Sequence, residues 1–154
     1  MPKAADVAVS RGLRASALTD DLSFLLARAN AISLAAGNAA LSGHGLKARS
    51  YSVLVLTSGD ARPSQRELAE FLRLDPSQVV SLVDDLQSRG LVERQPDPAD
   101  RRANVVVATE VGRALVVAAG EAARAAEERV HAALSESERA TLATLLRTLA
   151  FPSD

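Results

Sequence analysis

Arg101 and Arg102 follow Asp100 at the centre of a stretch, GLVERQPDPADRRANVVVATEVG (residues 90–112), that interrupts a chain otherwise rich in helix formers. A guanidinium is a permanent cation whose fixed donors match phosphate oxygens, so paired arginines on a projecting tip suit contact with a polyanion. Pro96 and Pro98 stiffen that tip. Asp100 is out of place on a surface meant for anions; its expected role is a brace that pairs with an arginine and fixes its direction. Upstream, Ser77, Gln78 and Ser81 offer a second kind of chemistry. A glutamine amide can bond adenine N6 and N7 together, while serine hydroxyls donate or accept as the partner requires. Arg66 and Arg94 add further cationic groups of the sort that hold a phosphate backbone.

The elements that must position these residues are legible from caps and periodicity. RPSQRELAEFLRL carries a capping box, Ser64 with Glu67, ahead of a stripe of Leu68, Phe71 and Leu72 expected to be buried. LDPSQVVSLVDDLQSRG opens on Asp75 and Pro76, ends on Gly90, and places Val79, Leu82, Val83 and Leu86 on one face. Ser77, Gln78 and Ser81 lie off that face. Two short helices joined through RLDP are the helix-turn-helix pattern. Two β-like runs follow, Leu91–Gln95 and Asn104–Ala108, and make the charged stretch a hairpin. A hairpin placed there is a wing.

Outside this centre the pattern is helical. Leu22, Leu25, Leu26, Ala29, Ile32 and Ala36 recur at helical spacing from Thr19 to about Gly43 or Gly45. Tyr51, Leu54 and Val55 fall together on a second helix. Thr109 can cap a long Ala-rich helix reaching roughly Ala133. Ser135 and Glu138 form another capping box before Leu142, Leu145, Leu146 and Leu149, expected to point inward. Ala-rich helices bury little area alone, so these flanks suit a homodimer interface. The expected fold is mainly α with a small β-hairpin wing: a flexible arm over 1–17, a dimerisation helix over 18–45, a winged helix-turn-helix lobe over 46–110, and C-terminal dimerisation helices over 111–154.

Composition excludes several functions. No cysteine occurs and only two histidines, so a disulfide framework, a thiol switch and a Cys or His metal centre are out of reach. At 3% aromatic, the core must be aliphatic. Asp84–Asp85 and Glu127–Glu128 are adjacent acids, but successive helix residues diverge by about 100°, so neither pair converges on one reacting atom. With no glycine-rich phosphate loop and no Ser-His-Asp order, an enzyme is not expected, nor any cofactor. No 18-residue apolar run and no basic-headed signal stand out, which implies a cytoplasmic protein without a membrane partner. Residues 62–102 hold seven Arg against eight Asp plus Glu. Any attraction for phosphate must therefore come from a few placed arginines, which implies modest affinity with strong salt dependence.

In their order, the segments SQRELAEFLRLDPSQVVSLVDDLQSRGLVERQPDPADRRANVVVATEVGRAL resemble the MarR family of bacterial transcription regulators, most strongly over 46–115. The resemblance implies a homodimeric winged-helix repressor of a palindromic double-stranded DNA operator. The family's Asp-x-Arg wing pair falls on Asp100 and Arg102, its phosphate contacts on Ser64 and Gln65, and its base-reading positions on Ser77, Gln78 and Ser81. Many relatives carry arginine where this chain has Ser81 and a basic residue at Asp85. A small aromatic or anionic effector is also implied. By type and position, Asn30, Ser33, His44, Arg49 and Tyr51 are the candidates to hold it. Two rivals stand beside this reading. One is a protein-interaction module docking a basic partner through the acidic Asp84–Asp85 side of the recognition helix; the other is a ligand-binding protein with weak or lost DNA binding.

Overall fold

A computed structural model describes residues 12–152; Lys3, Asp6 and Arg11 of the expected basic arm lie outside them. The elements, in chain order, are α1 (Leu22–Leu41), α2 (Ala48–Ser58), α3 (Gln65–Leu72), α4 (Pro76–Ser88), β1 (Val92–Pro96), β2 (Asn104–Ala108), α5 (Glu110–Val130) and α6 (Glu136–Ala150). Contacts divide the chain within α1, into residues 1–35 and 36–154.

In the first unit, helix does not begin at Thr19. That residue belongs to a 3-10 turn, Ala17–Asp20, and its hydroxyl donates to the Ser16 carbonyl at 2.8 Å. Asp21 starts α1 instead, accepting the Phe24 N–H at 2.7 Å. Leu22, Leu25, Leu26 and Ile32 are exposed along it. The stretch Leu22–His44 has a mean hydropathy of 1.2 over its best window, long and apolar enough to cross a membrane by length and composition alone. Sequence inspection missed this because Arg28, Asn30, Ser33 and Asn38 break up any continuous apolar run, while alanines keep the average high.

The second unit is built on its caps. Ser64 accepts the Glu67 N–H at 3.2 Å, and Glu67 Oε2 accepts the Ser64 N–H at 2.7 Å. Asp75 accepts the Ser77 N–H at 2.8 Å, with Pro76 following as first helical residue. Thr109 caps α5 through the Gly112 N–H, and Ser135 with Glu138 repeats the capping box at α6. At the end of α4, Gly90 adopts φ +69° and Leu91 N–H reaches the Leu86 carbonyl at 2.9 Å. This left-handed closure returns the chain into β1. Leu91, expected in the strand, is therefore the apolar plug of the helix end.

β1 and β2 are antiparallel, with Val92 opposite Ala108 and Pro96 opposite Asn104. β2 gains a further partner, since Ser64 bridges Val105 and Val106 N–H donates to the Pro63 carbonyl at 2.8 Å. The wing base is thereby fastened to the start of α3. Val79, Val83 and Leu86 from α4, Leu68 from α3, Val53 and Leu54 from α2, and Val92 and Val106 from the wing form one buried cluster. Each such side chain contributes about 1.5–3 kcal/mol on burial.

Three apolar groups lie elsewhere than expected. Val55 is exposed on α2, whose buried face is Val53, Leu54 and Thr57. Phe71 is 57% exposed and stacks on Phe151, ring centroids 5.8 Å apart, instead of joining Leu68 in the core. Leu142, Leu145, Leu146 and Leu149 do not point inward; all four are exposed, and α6 contains no buried residue among the described ones.

The capping carboxylates make stability depend on acid. The Ser64 backbone N–H, then its hydroxyl, holds Glu67 below the ordinary carboxylate range. The Ser77 hydroxyl, then its N–H, does so for Asp75, and the Ser135 N–H, then its hydroxyl, for Glu138. A depressed folded-state pKa means the contribution is complete above the unfolded value, about 3.9–4.3, and vanishes as pH falls through the folded value. Thermal melts should thus be flat between neutral pH and about 5 and fall below about 4. The triple variant Glu67→Gln, Asp75→Asn, Glu138→Gln should start lower at neutral pH and lose less on acidification. Equal acid sensitivity in parent and variant would contradict this assignment.

Candidate nucleic-acid interface

The lobe brings four of the expected residues to one place. Ser64, Gln65, Arg66 and Arg94, with Ala103, Asn104 and Val106, line a hollow of about 430 Å³ between the N-terminus of α3 and the wing. Free N–H groups at a helix start favour an anion, as the macrodipole does. The Ser64 hydroxyl is already engaged by Glu67, donating to Oε2 at 2.7 Å. Arg66 pairs with Glu70 at 2.8 Å, and both side chains are largely exposed. A solvated pair of this kind is weak and gives way readily to a better anion.

Arg94 is a different case. Its side chain is only 26% exposed and has three partners: Gln65 Oε1 at 2.7 Å, Gln87 Oε1 at 2.5 Å and Asp84 Oδ1 at 2.5 Å. It ties β1 to α3 and α4. Sequence grouped Arg94 with the arginines open to phosphate; each of its three guanidinium nitrogens in fact makes a bond within the fold. Gln87 escaped sequence reading because its partnership spans helix and strand. Asn104 escaped too, although its position opposite Pro96 at the wing tip was the available signal.

On α4, Ser77, Gln78 and Ser81 are exposed, on the side away from Val79, Val83 and Leu86. The Ser77 hydroxyl donates to Asp75 Oδ1 and the Ser81 hydroxyl to the Ser77 carbonyl at 3.1 Å. Gln78 makes no side-chain hydrogen bond with the described residues and is the group on this face most free to meet a base edge. The acids that broke the basic pattern are paired: Asp84 with Arg94, and Asp85 with Arg89 at 3.2 Å.

At the tip, Asp97 N–H bonds the Ala103 carbonyl and Ala103 N–H bonds the Asp100 carbonyl, each at 2.9 Å. Asp100 does act as a brace, but not on a guanidinium. Its Oδ1 accepts the Arg102 backbone N–H at 3.0 Å. The carboxylate two residues back is well placed for this short turn bond, which leaves both arginine side chains unpaired. Arg101 and Arg102 are exposed and without side-chain partners among the described residues.

The effector candidates are dispersed in kind. Asn30 is exposed and Ser33 half-buried on α1. His44 is half-buried in the turn after α1, and Arg49 is exposed on α2. Tyr51 packs against the core, its hydroxyl about one contact distance from Gly120, where an added Cβ would lie 3.4 Å away. A separate groove of about 870 Å³ runs between α3 and the end of α6, lined by Leu56, Phe71, Arg73, Leu149 and Phe151 among others; none of the five candidates lines it.

Two capped helices sharing a core with a hairpin that leaves directly from the second define a winged helix-turn-helix protein. Residues 44–103 match the sequence model of the MarR family. A MarR-family transcriptional regulator from Rhodococcus sp. RHA1 is 42% identical over 90% of this chain and 100% of its own, with a TM-score of 0.80. CouR from Rhodococcus jostii RHA1, solved bound to p-coumaroyl-CoA, is 42% identical over 91% of this chain and 99% of its own, TM-score 0.79. The transcriptional repressor NicR of Pseudomonas putida is 37% identical over 86 residues, which are 56% of this chain and 54% of that protein. The chain thus aligns with about half the length of that curated relative. It belongs to the MarR family.

Proposed function

We propose that this chain is a cytoplasmic repressor that binds a palindromic DNA operator as a homodimer and releases it when a small aromatic or anionic molecule binds. The observation that carries the reading is the pairing of an exposed cationic wing tip, Arg101 and Arg102, whose side chains have no partner among the described residues, with an open polar face on α4 in the same lobe. Two such lobes, with α4 helices about 34–36 Å apart, would reach successive major grooves. The uncovered leucines of α6 and the exposed apolar residues of α1 are the surfaces a second copy would bury. That burial also accounts for the hydropathy of α1 without a membrane. Catalysis plays no part in this reading.

Ligand response is supported by the relative bound to p-coumaroyl-CoA and by Bordetella bronchiseptica BpsR, 26% identical, whose DNA binding is regulated by 6-hydroxynicotinic acid. Asn30, Ser33, His44, Arg49 and Tyr51 stay the proposed effector positions. The rival in which α4 docks a basic protein loses its main support, because Arg89 and Arg94 neutralise the acids that would have attracted such a partner. Selection of bound fragments from a random duplex pool should return an inverted repeat. On that duplex, Gln78→Ala should relax the choice at one base pair per half-site, by about 1–3 kcal/mol of discrimination. Recovery of no enriched sequence would reject the reading.

A further inference from the structure

We infer that Arg94 is a positioning residue, which turns the side-chain amides of Gln65 and Gln87 so that their NH2 groups face a bound duplex. This rests on the DNA-binding reading above. A guanidinium has five donors and no acceptor, so an amide that touches it must present its oxygen inward. Gln65 and Gln87 both do so, accepting from Nε and Nη1 of the same arginine. What each amide shows on its other side is therefore a donor, the polarity a phosphate oxygen requires. Gln65 lines the hollow at the start of α3, beside the wing, and Gln87 is exposed on α4.

The third bond settles what happens to the charge. Nη2 meets Asp84 Oδ1 at 2.5 Å, so the positive charge of Arg94 is matched within the lobe. Arg94 then differs in kind from Arg101 and Arg102. They attract phosphate by charge, and their contribution fades with salt. Arg94 lowers the cost of ordering two glutamines during folding, ahead of the encounter with DNA. Neutral donors release no counterions, so this contribution does not change with salt.

The test compares the parent, Gln65→Ala, the double variant Arg94→Met with Asp84→Asn, and the triple variant combining them. The double variant removes both members of the ion pair and leaves the formal charge unchanged. Affinity for the selected duplex is measured from 50 to 200 mM salt. The double variant should bind on the order of tenfold to a hundredfold more weakly at every salt concentration, with the slope of log affinity against log salt unaltered. Adding Gln65→Ala to it should cost little more, although Gln65→Ala alone weakens the parent. A slope shallower by about 0.9 per subunit, the value for a lost cation–phosphate contact, would overturn the inference, as would full additivity of Gln65→Ala. Nitrogen-15 spectra without DNA supply a second readout. The Gln65 and Gln87 side-chain NH2 signals should be distinct in the parent and collapse to those of free glutamine in the double variant, and unchanged signals would also overturn it. A parent that binds no duplex defeats the DNA-binding reading itself, whereas a parent that binds like the double variant defeats only the role given to Arg94.

Discussion

Replacing Arg101 and Arg102 together by alanine should weaken operator binding by on the order of 10³-fold near physiological salt, and flatten its salt dependence. The magnitude follows from counting. Each cation seated on a phosphate steepens the slope of log affinity against log salt by about 0.9. Two arginines on each of two wings should therefore remove a slope of about 3.6. The fold should not notice, because both side chains are exposed and have no partner among the described residues, and substitutions at such positions usually change stability by less than about 0.5 kcal/mol. Discrimination between operators should survive in part, since Gln78 remains on α4. Titrations at three salt concentrations, with a thermal melt as control, separate these effects. An unchanged slope would show that the wing tip does not meet the backbone at all.

Local chemistry in this chain was readable from sequence, and long-range chemistry was not. Ser64 with Glu67, Asp75 with Pro76, Thr109, and Ser135 with Glu138 each announce a helix start within four residues, and each start lies where those residues place it. The winged helix-turn-helix follows from three such signals and one hairpin. Periodicity identifies which residues share a face but not what covers that face. Leu142, Leu145, Leu146 and Leu149 share a side of α6 as expected, yet all four are exposed among the described residues. Phe71 continues the stripe of Leu68, but α3 is a short helix at the edge of the core, and its last turn meets Phe151 from the chain's end. Arg94 was invisible for the same reason. Its partners lie 29, 10 and 7 positions away, on two different helices. No spacing rule joins them.

Gly112 was likewise unremarkable in sequence, and it should be one of the least replaceable residues in the lobe. It sits in the first turn of α5, where a Cβ would stand 2.0 Å from the Leu91 carbonyl oxygen and 3.2 Å from Leu54 Cδ1. That carbonyl cannot step aside, because Leu91 closes the end of α4 through its own N–H and accepts the Thr109 N–H at 3.0 Å. Two effects of Gly112→Ala oppose each other. Alanine favours helix over glycine by about 0.8–1.0 kcal/mol. Driving a methyl into fixed backbone costs more, at or above the upper end of the roughly 1–3 kcal/mol seen for overpacked cores. The clash wins, and the melting temperature should fall by about 4–8 °C for a net loss near 2 kcal/mol in a chain of this size. Gly120 supplies the contrast within the same helix. An added methyl there meets the Tyr51 hydroxyl at 3.4 Å and Arg124 Nη1 at 3.8 Å, both ordinary contacts with side-chain ends, so Gly120→Ala should keep the propensity gain and leave stability equal or higher. Opposite signs for two glycine-to-alanine changes eight residues apart on one helix would locate the joint between the wing and α5 at the Leu91 carbonyl. A Gly112→Ala protein as stable as the parent would show that joint to be soft.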